Sequence, residues 1–351
     1  MYLPAGTFSE TYLDDMAVVR TREHRWLLVI GAVAALLVLA LLNNYVVSIL
    51  NLIAISVIAA LGLQILTGYT GQFSTAHAAF MAVGAYTSAI LAVRGMPFWL
   101  SLPIAALVAG LVGVLFGLPA VRIKGFYLLM ATFAAQFLVM YVIRQWESVT
   151  KGDYGLEAPS PSLWGFVFNT ERSYFVLVLA VLVLATCATK NLLRTKAGRA
   201  FIAIRDNDLA AEVMGIDVFR YKLLAFFIAC AFAGAAGALY GHWNRTVTPE
   251  SFGLVASVWF LGYLLVGGLG TIPGTFFGVT FIVGLTEGLA YAFSWLGTVF
   301  PRADALTAPT RQILFGLVVA AFLIFEPRGL NHWWERVKMY YRSWPLPHYR
   351  A

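Results

Sequence analysis

Residues 68–80 read GYTGQFSTAHAAF and set two glycines, Gln72, Ser74, Thr75 and His77 inside an otherwise apolar run. A polar group left unpaired in hydrocarbon is costly, so such a cluster needs partners or a purpose. These are hydrogen-bonding groups rather than an acid–base pair, which suits binding or passage of a small solute better than bond breaking. Gly68 and Gly71 permit a helix break, and Gln72, Ser74, Thr75 and His77 then line a polar path or satisfy the freed backbone groups. Capping of the backbone is an equal reading for Ser74 and Thr75. For His77 a structural hydrogen bond is favoured over solute contact. A second interruption, LVGGLGTIPGTFFG, opens on the same Leu-x-Gly-x-x-Gly as LTGYTG, with Gly267, Gly268 and Gly270 before Pro273. Paired Gly/Pro interruptions in two halves are the pattern of an internally repeated transporter fold. Thr132 and Gln136 stand one helical turn apart on one face and add polar groups to the same path. Glu287 is the one carboxylate expected within a span, near its centre, where a paired functional role and a structural one both fit.

The elements that must hold these groups are membrane helices. Of 351 residues, 60% are hydrophobic and 12% charged, and mean hydropathy is +0.79; soluble domains carry about 25% charged residues. No Asp, Glu, Lys or Arg falls between Arg25 and Arg94, or between Lys222 and Arg245. The chain is therefore expected to be an all-α polytopic membrane protein. Ten spans are expected, near 26–42, 45–66, 73–93, 98–121, 125–143, 173–189, 223–243, 252–269, 273–296 and 311–326. Residues 1–25 are too polar and acidic for a secretory signal and are expected to form a cytoplasmic leader. With the N-terminus inside, 17 of the 24 Lys and Arg residues face the cytoplasm, as the positive-inside rule asks. The net charge of +7 punctuates apolar segments instead of forming one patch, which argues against nucleic acid. Trp26, Trp99, Trp146, Trp243 and Trp295 fall near span ends, where their rings suit the headgroup layer. Cys187 and Cys230 lie in apolar runs and are expected to be small buried residues. The outer connection 144–172, which contains Asp153 and Tyr154, is expected to be an ordered loop with little regular structure. Residues 328–351 are expected to be an interfacial cytoplasmic tail.

The inner connection 190–222 differs in kind. Its apolar residues, Phe201, Ile202, Ile204, Leu209, Val213, Met214 and Ile216, alternate with charges at roughly helical spacing. Asp206 and Asp208 are placed to cap a short helix, DLAAEVMG, and Gly215 to end it. The apolar stripe of that helix either lies on lipid or docks into a partner subunit. No GxxxxGK[ST], HExxH or GxSxG motif and no Cys/His cluster occurs, so neither catalysis nor a bound cofactor is expected of this chain.

DLAAEVMGI resembles the EAA-type loop of ATP-binding-cassette importer permeases, in which a short cytoplasmic helix fits a groove on the ATPase. The resemblance extends over GYTGQFSTAHAAFMAVGAYTSAI (68–90), RIKGFYLLMATFA (122–134), TKGDYGL (150–156), residues 195–242, VGGLGTIPGTFFG (266–278) and FEPRGL (325–330). Together these are similar to the LivM-type permeases of branched-chain amino acid importers. The resemblance implies a permease domain over 26–327 in the inner (plasma) membrane, with both termini cytoplasmic. It implies a heterodimer with a second, LivH-like permease subunit, two ATP-binding-cassette ATPase subunits and a periplasmic solute-binding protein. Within it, Leu209, Val213 and Met214 would fill the ATPase groove, with Arg205, Asp206, Asp208 and Glu212 at its rim and Gly215 closing the helix. Some positions depart from the family pattern: Ser74-Thr75-Ala76-His77 replaces Ser-x-Gly-His, Lys151-Gly152 replaces two glycines, and Trp259, Phe260 and Tyr263 make an aliphatic segment aromatic. Branched-chain amino acids are the cargo by resemblance, with urea, short amides or aromatic acids as the alternative. An ion-coupled carrier is the rival class; it would need intramembrane charges beyond Glu287 and would have no use for a docking loop.

Overall fold

The computed structural model describes residues 43–123, 125–163, 166–297 and 303–343. The expected leader, the first span at 26–42 and the end of the tail lie outside them. The nine remaining spans each coincide with a helix: α1 (Asn44–Leu63), α2 (His77–Val93), α3 (Phe98–Ala120), α4 (Phe126–Gln145), α5 (Glu171–Arg194), α8 (Val218–Asn244), α9 (Leu254–Gly267), α10 (Ile272–Gly297) and α11 (Ala303–Phe325). Two helices in the inner connection, α6 (Lys196–Asp206) and α7 (Asp208–Val213), and a terminal α12 (Leu330–Ser343) complete the set. Among the described residues seven helices are long and apolar enough to cross a membrane, or eight if the pair 309–325 and 330–340, bent by 48°, is one span. The shorter α2, with 17 residues, starts at His77 and not at the expected 73. Its first turn is replaced by the irregular segment after Gly71.

Helix α8 is the axis of the bundle and packs against α1, α2 and α3; α5 lies on α1 and α4 on α2. Lipid tails are as apolar as leucine, so membrane helices gain from close approach more than from hydrophobicity. The sequence IACAFAGAAGA (228–238) supplies small residues on α8. A methyl group added to Gly237 would run into the Met81 carbonyl, and one on Gly84 would meet the backbone of Gly234. Helices α9, α10 and α11 pack on one another, and α10 joins them to α1.

The connection after α4 is ordered, as expected, and carries a little regular structure. Strand β1 (Leu156–Glu157) pairs antiparallel with β4 (Thr246–Val247), Leu156 opposite Val247, while β2 (Ser162–Leu163) pairs antiparallel with β3 (Phe166–Val167). Cys230 is buried as expected, but Cys187 is exposed, because α5 turns that face outward.

Candidate functional site: two glycine turns and the loop that grips them

Helix α1 does not stop cleanly. It widens into a π-helical stretch, Gln64–Tyr69, then leaves helical geometry at Thr70. Gly71 adopts φ +74°, a region that favours glycine. Helix α2 begins after Ala76, whose methyl cannot cap it, so its buried first N–H groups need acceptors from elsewhere. Neighbouring helices provide them. Ser257 Oγ on α9 accepts from Ala78 N at 2.9 Å, and Gln136 Oε1 on α4 accepts from Ala79 N at 3.1 Å. Gln136 also accepts from the Ser257 hydroxyl at 3.1 Å and donates Nε2 to the Phe252 carbonyl at 2.8 Å. Thr132 Oγ1 accepts from Thr75 N at 3.2 Å and lies 3.2 Å from the Thr75 hydroxyl. Ser74 Oγ accepts from Ala76 N.

His77 Nε2 lies 2.8 Å from the Ala59 carbonyl, with the ring edge-on to Phe260. Gln72 donates to the Lys222 carbonyl at 3.4 Å. Gln72, Ser74, His77, Thr132 and Gln136 are all buried. The sequence-expected polar residues are thus brought together, with Thr75, around one broken helix end, each with a protein partner. Glu287 is not among them. It accepts from Tyr45 in the first turn of α1 at 3.2 Å and pairs with Arg311 at 3.5 Å. Glu287 falls near the middle of α10, as expected, and its partners lie at the start of α1 and on α11 rather than at the broken end.

The second interruption meets the first. Gly268 and Gly270, between α9 and α10, adopt φ +115° and +76°. Gln64 Nε2 donates to the Gly268 and Thr271 carbonyls at 3.1 and 2.9 Å. Gly68 and Gly270 touch: a methyl on Gly68 would stand 2.6 Å from the Gly270 nitrogen. The two Leu-x-Gly-x-x-Gly segments therefore form a single paired structure. The aromatic residues of α9 take part in packing: Trp259 stacks on Phe315 with centroids 4.0 Å apart, and Phe260 and Tyr263 are buried.

Helices α6 and α7 lie against this pair. Thr195 Oγ1 caps α6, accepting from Gly198 N. Asn207 caps α7, its Oδ1 accepting from the N–H groups of Leu209 and Ala210 at 3.1 Å, so neither Asp206 nor Asp208 performs the expected capping. Asp208 pairs instead with the largely buried Lys222 at 3.5 Å. Gly215, at φ +83°, ends the turn as expected. Leu209, Val213 and Met214 are 64%, 86% and 82% exposed, and Glu212 is exposed beside them. Arg205 points the other way, donating Nη1 to the Gly68 carbonyl at 2.8 Å, with Asp206 3.7 Å from its Nε. A cavity of about 360 Å³ opens between Gly71, Gln72, Leu128, Arg205, Asp208 and Lys222. Sequence reasoning missed Gln64, Asn207, Lys222 and Ser257. Gln64, Lys222 and Ser257 are polar residues in or beside an apolar run, which was the available signal, and Asn207 directly precedes the short helix that it caps.

Residues 45–325 match the family described as branched-chain amino acid transport system, permease component. The chain is 34% identical over 267 residues to the high-affinity branched-chain amino acid transport system permease protein LivM of Escherichia coli, covering 68% of this chain and 63% of LivM. The chain thus spans less than two thirds of the length of that relative. It is 27% identical over 294 residues to the probable permease protein LivH of Methanocaldococcus jannaschii, covering 79% of this chain and 89% of that protein. A solved structure, PsaBC from Streptococcus pneumoniae in complex with Fab, is similar at a TM-score of 0.44 and 13% identity over 88% of this chain and 99% of that one, too loosely to carry an argument.

Proposed function

Because the chain belongs to the family of permease components of branched-chain amino acid transport systems, we propose that this multi-pass membrane protein is the transport subunit of an ATP-driven importer in the inner membrane. Its cargo is a branched-chain amino acid or a close chemical relative. Similarity to both LivM and LivH proteins supports a pairing of two like-folded permease subunits. Separate ATPase subunits hydrolyse ATP at the cytoplasmic face, and a periplasmic binding protein delivers the solute. The packing of Trp259 and Phe260 into helix contacts removes the aromatic segment as a reason to prefer aromatic acids.

The observation that carries the proposal is α7. Three apolar side chains stand in the open on a six-residue helix that is capped at both ends and anchored by the Asp208–Lys222 pair. A helix presenting an apolar row is suited to a groove in a partner. The buried polar residues at the start of α2 have a supporting role: they satisfy the broken helix end and fix where the solute path bends. Interface anchors lose about 1–2 kcal/mol or more when truncated. The double variant Leu209→Asp/Met214→Asp is therefore expected to weaken ATPase binding about 30-fold or more, at roughly 1.4 kcal/mol per decade. Co-purification and titration of the ATPase subunits measure this. Unchanged ATPase binding would remove α7 from the docking role.

A further inference from the structure

Arg205 is the point at which the docking loop touches both glycine turns. Its Nη1 donates to the carbonyl of Gly68 in the first turn. The same nitrogen lies 2.5 Å from the place a β-carbon on Gly270 would occupy, so a side chain at that position would push the guanidinium from this seat. The backbone and Cγ of Arg205 rest on Gly71, where an added β-carbon would be 3.5 and 3.3 Å away. Three glycines from two separate chain segments thus make the seat of one side chain. Arg205 occupies the last turn of α6, and α7 starts three residues later after the extended Asn207. A cavity bordered by Gln72, Leu128 and Asp208 lies directly beside this seat of Arg205.

We propose that Arg205 is a positioning residue that clasps the two glycine turns together and releases them when α7 is moved by its partner. Docking at Leu209, Val213 and Met214 shifts the C-terminal end of α6. The guanidinium then withdraws from Gly68 and Gly270, and the ends of α1, α2, α9 and α10 separate. This inference rests on the docking role given to α7, but the clasp itself is measurable without any ATPase. It also gives a specific reason for arginine: the flat fork reaches a carbonyl between two backbones, which a lysine ammonium does not reproduce.

The test uses the full chain, with spin labels on cysteines replacing the exposed Phe73 and Leu269 beside the two turns, in a background lacking Cys187 and Cys230. In the chain alone the label-to-label distance is expected to be short and narrowly distributed, and to lengthen or broaden in Arg205→Ala, in Arg205→Lys and in Gly270→Ala. In the reconstituted complex Arg205→Ala is expected to keep its ATPase subunits while solute imported per ATP hydrolysed falls about tenfold or more. An unchanged distance in Arg205→Ala would overturn the clasp. So would loss of ATPase binding with the turn-to-turn distance unchanged, because Arg205 would then belong to the docking rim. An altered distance together with normal ATPase binding in Leu209→Asp/Met214→Asp would keep the clasp and refute only the docking role.

Discussion

Gln136→Leu removes the amide that joins three elements while keeping the side chain's approximate volume. In the structure that amide accepts from Ala79 N and from the Ser257 hydroxyl at 3.1 Å each, and donates to the Phe252 carbonyl at 2.8 Å. Leucine leaves the Ala79 N–H and the Phe252 carbonyl buried without those partners. Each orphan costs about 1–3 kcal/mol in a protein interior. Interhelical hydrogen bonds in membranes average closer to ~0.6 kcal/mol, which for three bonds gives a floor near ~2 kcal/mol. A loss of about 2–4 kcal/mol is expected, a shift of roughly 30- to 1,000-fold in the folding equilibrium. Reversible unfolding in mixed micelles, followed by tryptophan fluorescence, measures it. Ser257→Ala should lose less, about 1–3 kcal/mol, since it orphans one backbone group, the Ala78 N–H, instead of two. If Gln136→Leu unfolded with wild-type stability yet abolished uptake, Gln136 would be a solute contact and the capping account of the α2 start would fail.

Three further outcomes follow from the same contacts. Gly237→Ala drives a methyl into the Met81 carbonyl, and overpacking of about 1–3 kcal/mol should appear as lower stability with α2 displaced from α8. Asn207→Ala removes both cap bonds of α7, a loss of about 1 kcal/mol that should appear as faster amide exchange at Leu209 and Ala210. Single cysteines at Asn191 and Ser160, in a chain without Cys187 and Cys230, should be labelled from opposite sides of the membrane; labelling of both from one side would refute the ten-span arrangement.

The helices were legible because a span leaves a run of some twenty apolar residues, and nothing in 45–66 or 223–243 competes with that signal. The breaks were legible because glycine and polar residues interrupt such runs at Gly68, Gly71, Gly268 and Gly270. Their short shared pattern proved more informative than its length suggests, since the two segments touch at Gly68 and Gly270. What each polar group does was not legible. Thr132 and Gln136 share a helix face, but periodicity carries no information about Ala79 or Thr75 as their partners, which are fixed by how α4 packs on α2. Arg205 was expected at the rim of the docking surface with its charged neighbours, whereas the structure directs its side chain inward to a carbonyl. Likewise Asp206 and Asp208 were the residues expected to cap α7, whereas Asp208 pairs with Lys222 and the cap is Asn207. Glu287 was legible as a carboxylate near the middle of α10, but its partners Tyr45 and Arg311 were not, because helix packing alone brings them to it.

The most direct measurement of the central claim is uptake of radiolabelled leucine into proteoliposomes. These would hold this chain, its companion permease and the ATPase subunits, with binding protein outside and ATP trapped inside. Accumulation is predicted only with internal ATP and binding protein together, to be unaffected by collapse of proton and sodium gradients, and to be lost in Leu209→Asp/Met214→Asp. Accumulation that needs an ion gradient and proceeds without ATP would contradict the account and identify an ion-coupled carrier instead.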